Sequence, residues 1–229
     1  MTRRQVLTQV LVLWALAFAA ILVAYLSYPP AAKIVSVAVF LYLPLWSMRR
    51  TGEEPADVGL TLRNWRADVL WATGLFLVIA VGYFFALKWW LTWTLVQGRT
   101  GPPAGLAFHP HFPHFWEHAI DQPFVVALPE EFFFRGWMQT RLKRVFPEGK
   151  RIFGVPVGPA LLLTAVLFAL VHLTIFQAYR LAVFFPALLF GWRRERTGTV
   201  VGSTLLHAAC NLYQAFLFAS FTPAWDIRR

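Results

Sequence analysis

The sequence predicts an all-α protein: a polytopic transmembrane helical bundle of about seven spans, forming a single integral-membrane domain over residues 1–229. Three observations carry this expectation. The chain is 58% hydrophobic and only 14% charged, with a mean hydropathy of +0.55, whereas a soluble domain carries about 25% charged residues. It contains 11 Trp and 22 Phe, more aromatic surface than a soluble core of this size needs. Its basic residues cluster in short stretches between apolar runs, the pattern of a positive-inside topology.

The first span, 6–26, follows Arg3 and Arg4. Two arginines before an apolar run also describe a secretory signal. The run is about twenty residues long, however, and no small-x-small cleavage site precedes Ser27-Tyr28-Pro29-Pro30, so a retained helix is expected. Tyr25 and Tyr28 fall in its interfacial belt. The second span, 32–48, contains Pro44, a potential kink. The third, 68–87, runs into Lys88, Trp89, Trp90 and Trp93, read as an interfacial continuation. Residues 98–118, rich in Gly, Pro and His, read as a loop on the side opposite the N-terminus.

The fourth helix, 121–144, emerges into Arg141, Lys143, Arg144, Lys150 and Arg151. The fifth covers 156–176. A short sixth, 179–192, ends in Arg193-Arg194-Glu195-Arg196, and the seventh covers 200–221. With the N-terminus cytoplasmic, every strong basic cluster falls on the cytoplasmic side. No internal repeat is evident, and the compact loops fit a bacterial inner (plasma) membrane.

A net charge of +10 raises the question of nucleic acid, but there is no long basic arm or stripe, so no nucleic-acid partner is expected. Cys210 is the single cysteine, which excludes an internal disulfide and a multi-cysteine metal knuckle.

Within the fourth helix stands Glu130-Glu131-Phe132-Phe133-Phe134-Arg135. An ionisable residue near the bilayer centre costs about 2.5–3.5 kcal/mol even on lenient insertion scales, so such residues are paired or functional. Glu131 and Arg135 are four apart with the acid N-terminal, the favourable order for an ion pair. Glu130 lies about 100° further round and is not neutralised by that pair. On the fifth helix Phe168 and His172 share a stripe, and on the seventh His207 and Asn211 do so. A carboxylate with a histidine holds and deprotonates a water. A second histidine with an amide donates hydrogen bonds to a developing oxyanion.

The ordered set Glu-Glu-x-x-x-Arg, Phe-x-x-x-His and His-x-x-x-Asn, with Gly202-Ser203 just before the last, resembles the CPBP family of intramembrane proteases, which includes the CAAX endoproteases that trim prenylated proteins. The resemblance covers about residues 120–215, the expected catalytic core. It implies a glutamate-dependent, metal-independent endopeptidase that uses no cofactor and acts on a membrane-anchored protein or peptide in the lipid bilayer. By analogy Glu130 would be the general base and His172 would orient the water. Glu131 and Arg135 would brace the site, and His207 with Asn211 would form the oxyanion hole. The CAAX endoproteases carry a further helix beyond the point where this chain ends.

Each motif also has a plainer reading. Glu130 as a second structural acid, His172 as a hydrogen-bonded bundle histidine, and His207 with Asn211 as interhelical glue all remain open. Cys210 reads as packing rather than as an activated thiolate. Ser203 invites comparison with membrane serine proteases, but Val201 breaks the Gly-x-Ser frame. His109, His111, His114 and His118 are interrupted by Pro110 and Pro113 and match no standard metal motif, so an interfacial loop is expected rather than a metal-binding lid. A zinc site would have to use Asn, a poor ligand, or only two His and a Glu. Two other function classes stay in play: a non-catalytic membrane binding protein of the self-immunity or chaperone type, and a proton-coupled transporter, which the lack of inverted repeats disfavours.

Overall fold

The fold is a helical bundle whose chain runs back and forth between two ends. The structure is a computed structural model and describes residues 2–96 and 106–223. Among these, seven main helices follow one another: α1 (Arg3–Ser27), α2 (Pro29–Thr51), α3 (Trp65–Val96), α4 (115–143), α5 (Pro159–Val171), α6 (Phe184–Thr197) and α7 (Val201–Ser220). α1, α2 and α3 are long and apolar enough to cross a membrane by length and composition. α5 with its following turn is a shorter apolar helix, Pro159–Ile175.

Local chemistry sets the boundaries. Thr2 and Gln5 form a capping box at the start of α1. Pro29 opens α2, where its missing N–H is harmless, and Gly52 closes it in the left-handed region. Pro44 is accommodated inside α2 and is buried. At 32 residues α3 is about 48 Å long, well beyond the roughly 30 Å of a hydrocarbon core. The tryptophan stretch expected as a separate interfacial continuation is therefore helical and continuous with the span, and Trp89 stacks on Trp93.

α4 departs most from expectation. It starts at Phe115, six residues before the expected 121, so His118 lies in a helix rather than in a loop. Two stretches, Gln122–Ala127 and Phe132–Met138, are π-helical. Leu128 N–H bonds the Pro123 carbonyl and Gln139 N–H bonds that of Phe134, each five residues back. Pro123 and Pro129 cannot donate to the normal α-helical ladder, and the wider turn relieves the clash their rings create. The short α-helical piece between the two π segments, Leu128–Glu131, carries both glutamates.

Two small strand pairs were not foreseen. β1 (Leu106–Phe108) pairs antiparallel with β4 (Phe221–Pro223), and β2 (Lys150–Ile152) pairs antiparallel with β3 (Val155–Val157). Pro156 thus lies in a strand, not at the start of the fifth helix, which begins at Pro159. α5 also ends early: His172–Ile175 is a 3-10 turn, and a second such turn, Ala178–Val183, precedes α6. Of the expected 98–118 loop, residues 98–105 lie outside the described residues.

The two ends differ in chemistry. At one, Arg141 and Arg144 both pair with Glu53, and Lys143 pairs with Glu195. Deeper in, Arg193 and Asp68 form an ion pair of 3.0 Å with no solvent exposure on either side, and Thr199 donates to Asp68 at 2.6 Å. Arg194 donates to Thr140 at 2.9 Å. Arg193 and Arg194, expected in a solvated loop cluster, are therefore buried ties between helices. Gly202 of α7 is pressed against this pair: a Cβ there would lie 2.7 Å from the Asp68 carboxylate and 2.9 Å from the Arg193 guanidinium. At the other end Lys33 pairs with Asp121, and the His109 amide bonds the Ser220 carbonyl at 2.8 Å.

Removing one partner of a buried ion pair strands the other and costs about 3–5 kcal/mol. Asp68→Ala is accordingly expected to lower the melting temperature of the detergent-purified protein sharply, and Asp68→Leu combined with Arg193→Met to lower it less. Equal melting of Asp68→Ala and the parent would show that the pair does not hold α3 to α6.

Candidate active site

The site grows from α4. Arg135 Nη1 donates to Glu131 Oε1 at 2.9 Å, and both side chains are fully buried. The guanidinium is packed between aromatic faces, 4.1 Å from the ring centroid of Phe168 and 5.4 Å from that of Phe190. Such contact offsets part of the lost hydration. Its Nη2 also donates to the Ala187 carbonyl at 3.4 Å, so α4 is tied to both α5 and α6.

Glu131 has a second partner. His207 Nδ1 lies 3.0 Å from the same Oε1, and because a carboxylate only accepts, the ring donates from Nδ1. The ring is stacked on Phe190 at 5.0 Å and meets Phe168 edge-on at 6.0 Å. This clamp turns Nε2 toward Glu130 Oε2, 3.9 Å away. Glu130 Oε2 is itself buried and accepts no hydrogen bond from protein. Adjacent glutamates thus have unlike surroundings: Glu131 Oε1 takes hydrogens from both Arg135 and His207 while its Oε2 is buried without a protein partner behind the cavity, and the open Oε2 of Glu130 belongs to a residue on the cavity wall.

His172 occupies the first position of the turn that ends α5. Its Nδ1 donates to the Phe168 carbonyl at 2.8 Å, which leaves Nε2 of the neutral ring as an acceptor. The ring rests against Phe168 at 4.7 Å. On α7, Asn211 donates one amide hydrogen to Gln122 Oε1 at 2.9 Å. The second hydrogen is not used by that bond. The sequence reading did not single out Gln122. The available signal was its isolation, as the one polar side chain between Asp121 and Glu130.

Glu130, His172, His207, Asn211 and Gln122 all line one cavity of about 1260 Å³. Glu131 and Arg135 do not line it; they stand behind it. Cys210 lines the cavity and packs with the apolar cluster around Phe190. Ser203 is fully buried with its hydroxyl donated to the Val200 carbonyl.

His109, His111, His114 and His118 do not line the cavity. Backbone bonds from His109 and His111 to Ser220 fasten the loop to the end of α7, and His118 stacks on Phe112. Among the described residues no three His, Cys, Asp or Glu side chains are grouped as metal ligands.

The chemistry such a set can perform follows from its parts. An open carboxylate oxygen and an imidazole acceptor on one cavity can hold a water and take its proton. An amide hydrogen, and an imidazole Nε2 that carries a proton, can donate to a developing negative oxygen. The two acids should separate cleanly in stability. Arg135→Met, which strands the buried Glu131 carboxylate, is expected to cost about 3–5 kcal/mol, whereas Glu130→Gln breaks no protein hydrogen bond and should stay within about 1 kcal/mol. Thermal melts of both variants in detergent check this, and a strongly destabilised Glu130→Gln would make Glu130 a structural acid.

Residues 113–213 match the family model for type II CAAX prenyl endopeptidase, Rce1-like. The match begins just ahead of α4, ends within α7 and contains every residue of the site. No curated protein and no solved structure matches the chain.

Proposed function

We propose that this chain, whose residues 113–213 match the family model for type II CAAX prenyl endopeptidase, Rce1-like, is a glutamate-dependent, metal-independent intramembrane endopeptidase. Its substrate is a membrane-anchored protein or peptide, cut near a membrane-proximal C-terminal segment. The observation that carries the reading is Glu130 Oε2, buried on the cavity wall with no protein hydrogen bond and 3.9 Å from His207. Glu131 Oε2 is also unpaired but stands behind the cavity, whereas an open carboxylate on the cavity wall is within reach of a water or substrate that it serves.

In this reading Glu130 and the Nε2 acceptor of His172 hold the attacking water. Glu130 takes one of its protons as the oxygen bonds to the scissile carbonyl carbon. The carbonyl oxygen becomes an oxyanion and is met by the spare amide hydrogen of Asn211 and by His207 Nε2. To donate there while Nδ1–H is bound to Glu131, His207 must carry a proton on both nitrogens. The proton held by Glu130 then passes to the leaving amine as the C–N bond breaks, giving one new carboxyl and one new amino terminus. Glu131 and Arg135 act through His207 and through packing, as positioning residues.

The helices are read as seven spans with the N-terminus in the cytoplasm. The three long apolar helices support an integral membrane protein, and the alternation of helix ends supports the count. A bacterial inner membrane is the favoured setting.

Glu130→Gln is expected to lower turnover by about 10²–10⁴-fold, the range for loss of a general base. Asn211→Ala is expected to lose about 10²–10³-fold, as for an oxyanion donor. The measurement is a comparison of membrane and secreted proteomes from cells with equal amounts of parent and variant. Proteins that keep their C-terminal segment only in the variant are the substrates. Unchanged proteomes, with a cellular phenotype that survives Glu130→Gln, would overturn the protease reading in favour of a binding protein.

A further inference from the structure

The cavity and the basic clusters lie at opposite ends of the bundle. Arg49, Arg50, Arg141, Arg144, Arg193 and Arg194 are at one end, where ion pairs tie the last four to Glu53, Asp68 and Glu195. At the other end the described Lys and Arg residues are Lys33, Lys88 and Arg180. Even with Arg99, Arg228 and Arg229, which lie outside the described residues, counted to that side, the first end holds more than twice as many. The connections at the first end are short, the condition under which Lys and Arg counts orient a membrane protein with that end in the cytoplasm.

The cavity wall draws on the second end. Beyond Glu130, His172 and His207 it continues through Tyr25, Lys33, Trp90, Tyr179 and Arg180, and no residue of the basic cluster lines it. Tyr25 and Lys33 flank the α1–α2 turn, Trp90 is in the last part of α3, and Tyr179 with Arg180 belongs to the turn before α6. Tyr179 is 63% exposed at this rim. The opposite end is closed by the Asp68–Arg193–Thr199 ties and by Trp137 bonded to Ser47.

We infer that the cavity opens to the non-cytoplasmic face of the membrane. On the protease reading, its substrates are then anchored proteins whose scissile segment lies on the non-cytoplasmic flank of the anchor. A peptide on that side reaches Glu130 past Tyr179 and Arg180 without crossing the charged end. A segment on the cytoplasmic flank meets the buried ion pairs instead.

The test places single cysteines in the full-length protein after Cys210→Ala removes the native one. Tyr179→Cys reports on the cavity rim, and Ile152→Cys, exposed at the β2–β3 turn, reports on the basic end. A charged, membrane-impermeant maleimide is added to intact cells or spheroplasts, and then to lysed cells. The expected result is that Tyr179→Cys labels in intact cells while Ile152→Cys labels only after lysis. The reverse pattern, or equal labelling of the two in intact cells, overturns the orientation. Failure of Tyr179→Cys to label even in lysed, detergent-treated cells overturns the placement of the mouth. Labelling needs no catalysis, so these outcomes are independent of the Glu130→Gln comparison. If both hold, the bonds cut in parent cells lie on the non-cytoplasmic flank of each substrate's anchor, and cuts confined to the cytoplasmic flank would refute the substrate class.

Discussion

Arg135 carries a permanent charge at a point of the bundle with no solvent exposure, and the surrounding structure is arranged to meet it. Glu131 supplies the counter-charge from one turn earlier on the same helix, Phe168 and Phe190 supply ring faces from α5 and α6, and the Ala187 carbonyl takes a further hydrogen. The same carboxylate oxygen then receives His207 from α7. A single ion pair thereby fixes the relative positions of four helices. It also fixes the ring orientation of the histidine on the cavity wall. Glu130 is left out of this arrangement, which is why two neighbouring glutamates of identical chemistry end in such different states.

The prolines of α4 serve the same end. A regular α-helix would leave the carbonyls opposite Pro123 and Pro129 without donors in an apolar surrounding. Widening to five-residue spacing re-pairs the ladder on either side of Glu130 and Glu131. The glutamates sit on the one regular turn between two wide ones, with Gln122 a little over two turns away reaching Asn211.

Much of this was legible in the sequence. Helix-length apolar runs and the four-residue spacing of Glu131 with Arg135 are local signals, and the structure has helices over those runs, with several ends shifted by a few residues, and the pair. The three motifs also pointed to Glu130, His172, His207 and Asn211, which share the cavity, but not to Gln122. What was not legible depends on partners distant in sequence. That His207 turns one nitrogen to each glutamate requires the packing of α7 on α4. That Arg193 and Arg194 are buried rather than solvated requires Asp68 and Thr140 to be brought beside them. The strand pairs escaped notice because three residues with no alternation give no periodic signal. The π segments escaped because a helical pattern with a proline in it reads equally well as a kink.

Gly202 gives the ionic end of the molecule a bearing on the polar one. With no Cβ, α7 seats directly on the Asp68–Arg193 pair, and a single methyl group at that point would already be in collision with it. His207 follows on the same rigid helix, about 7.5 Å along the axis at 1.5 Å per residue, with Asn211 about 6 Å further. A helix transmits an axial shift undiminished over such distances, and displacement of a reacting group by about 1 Å can lower a rate by about 10²-fold. The depth at which the two α7 side chains meet the cavity is therefore gauged against a surface outside it. The salt-bridged end works as a mechanical stop, and the alignment of the polar groups inherits its tolerance from the thickness of one glycine.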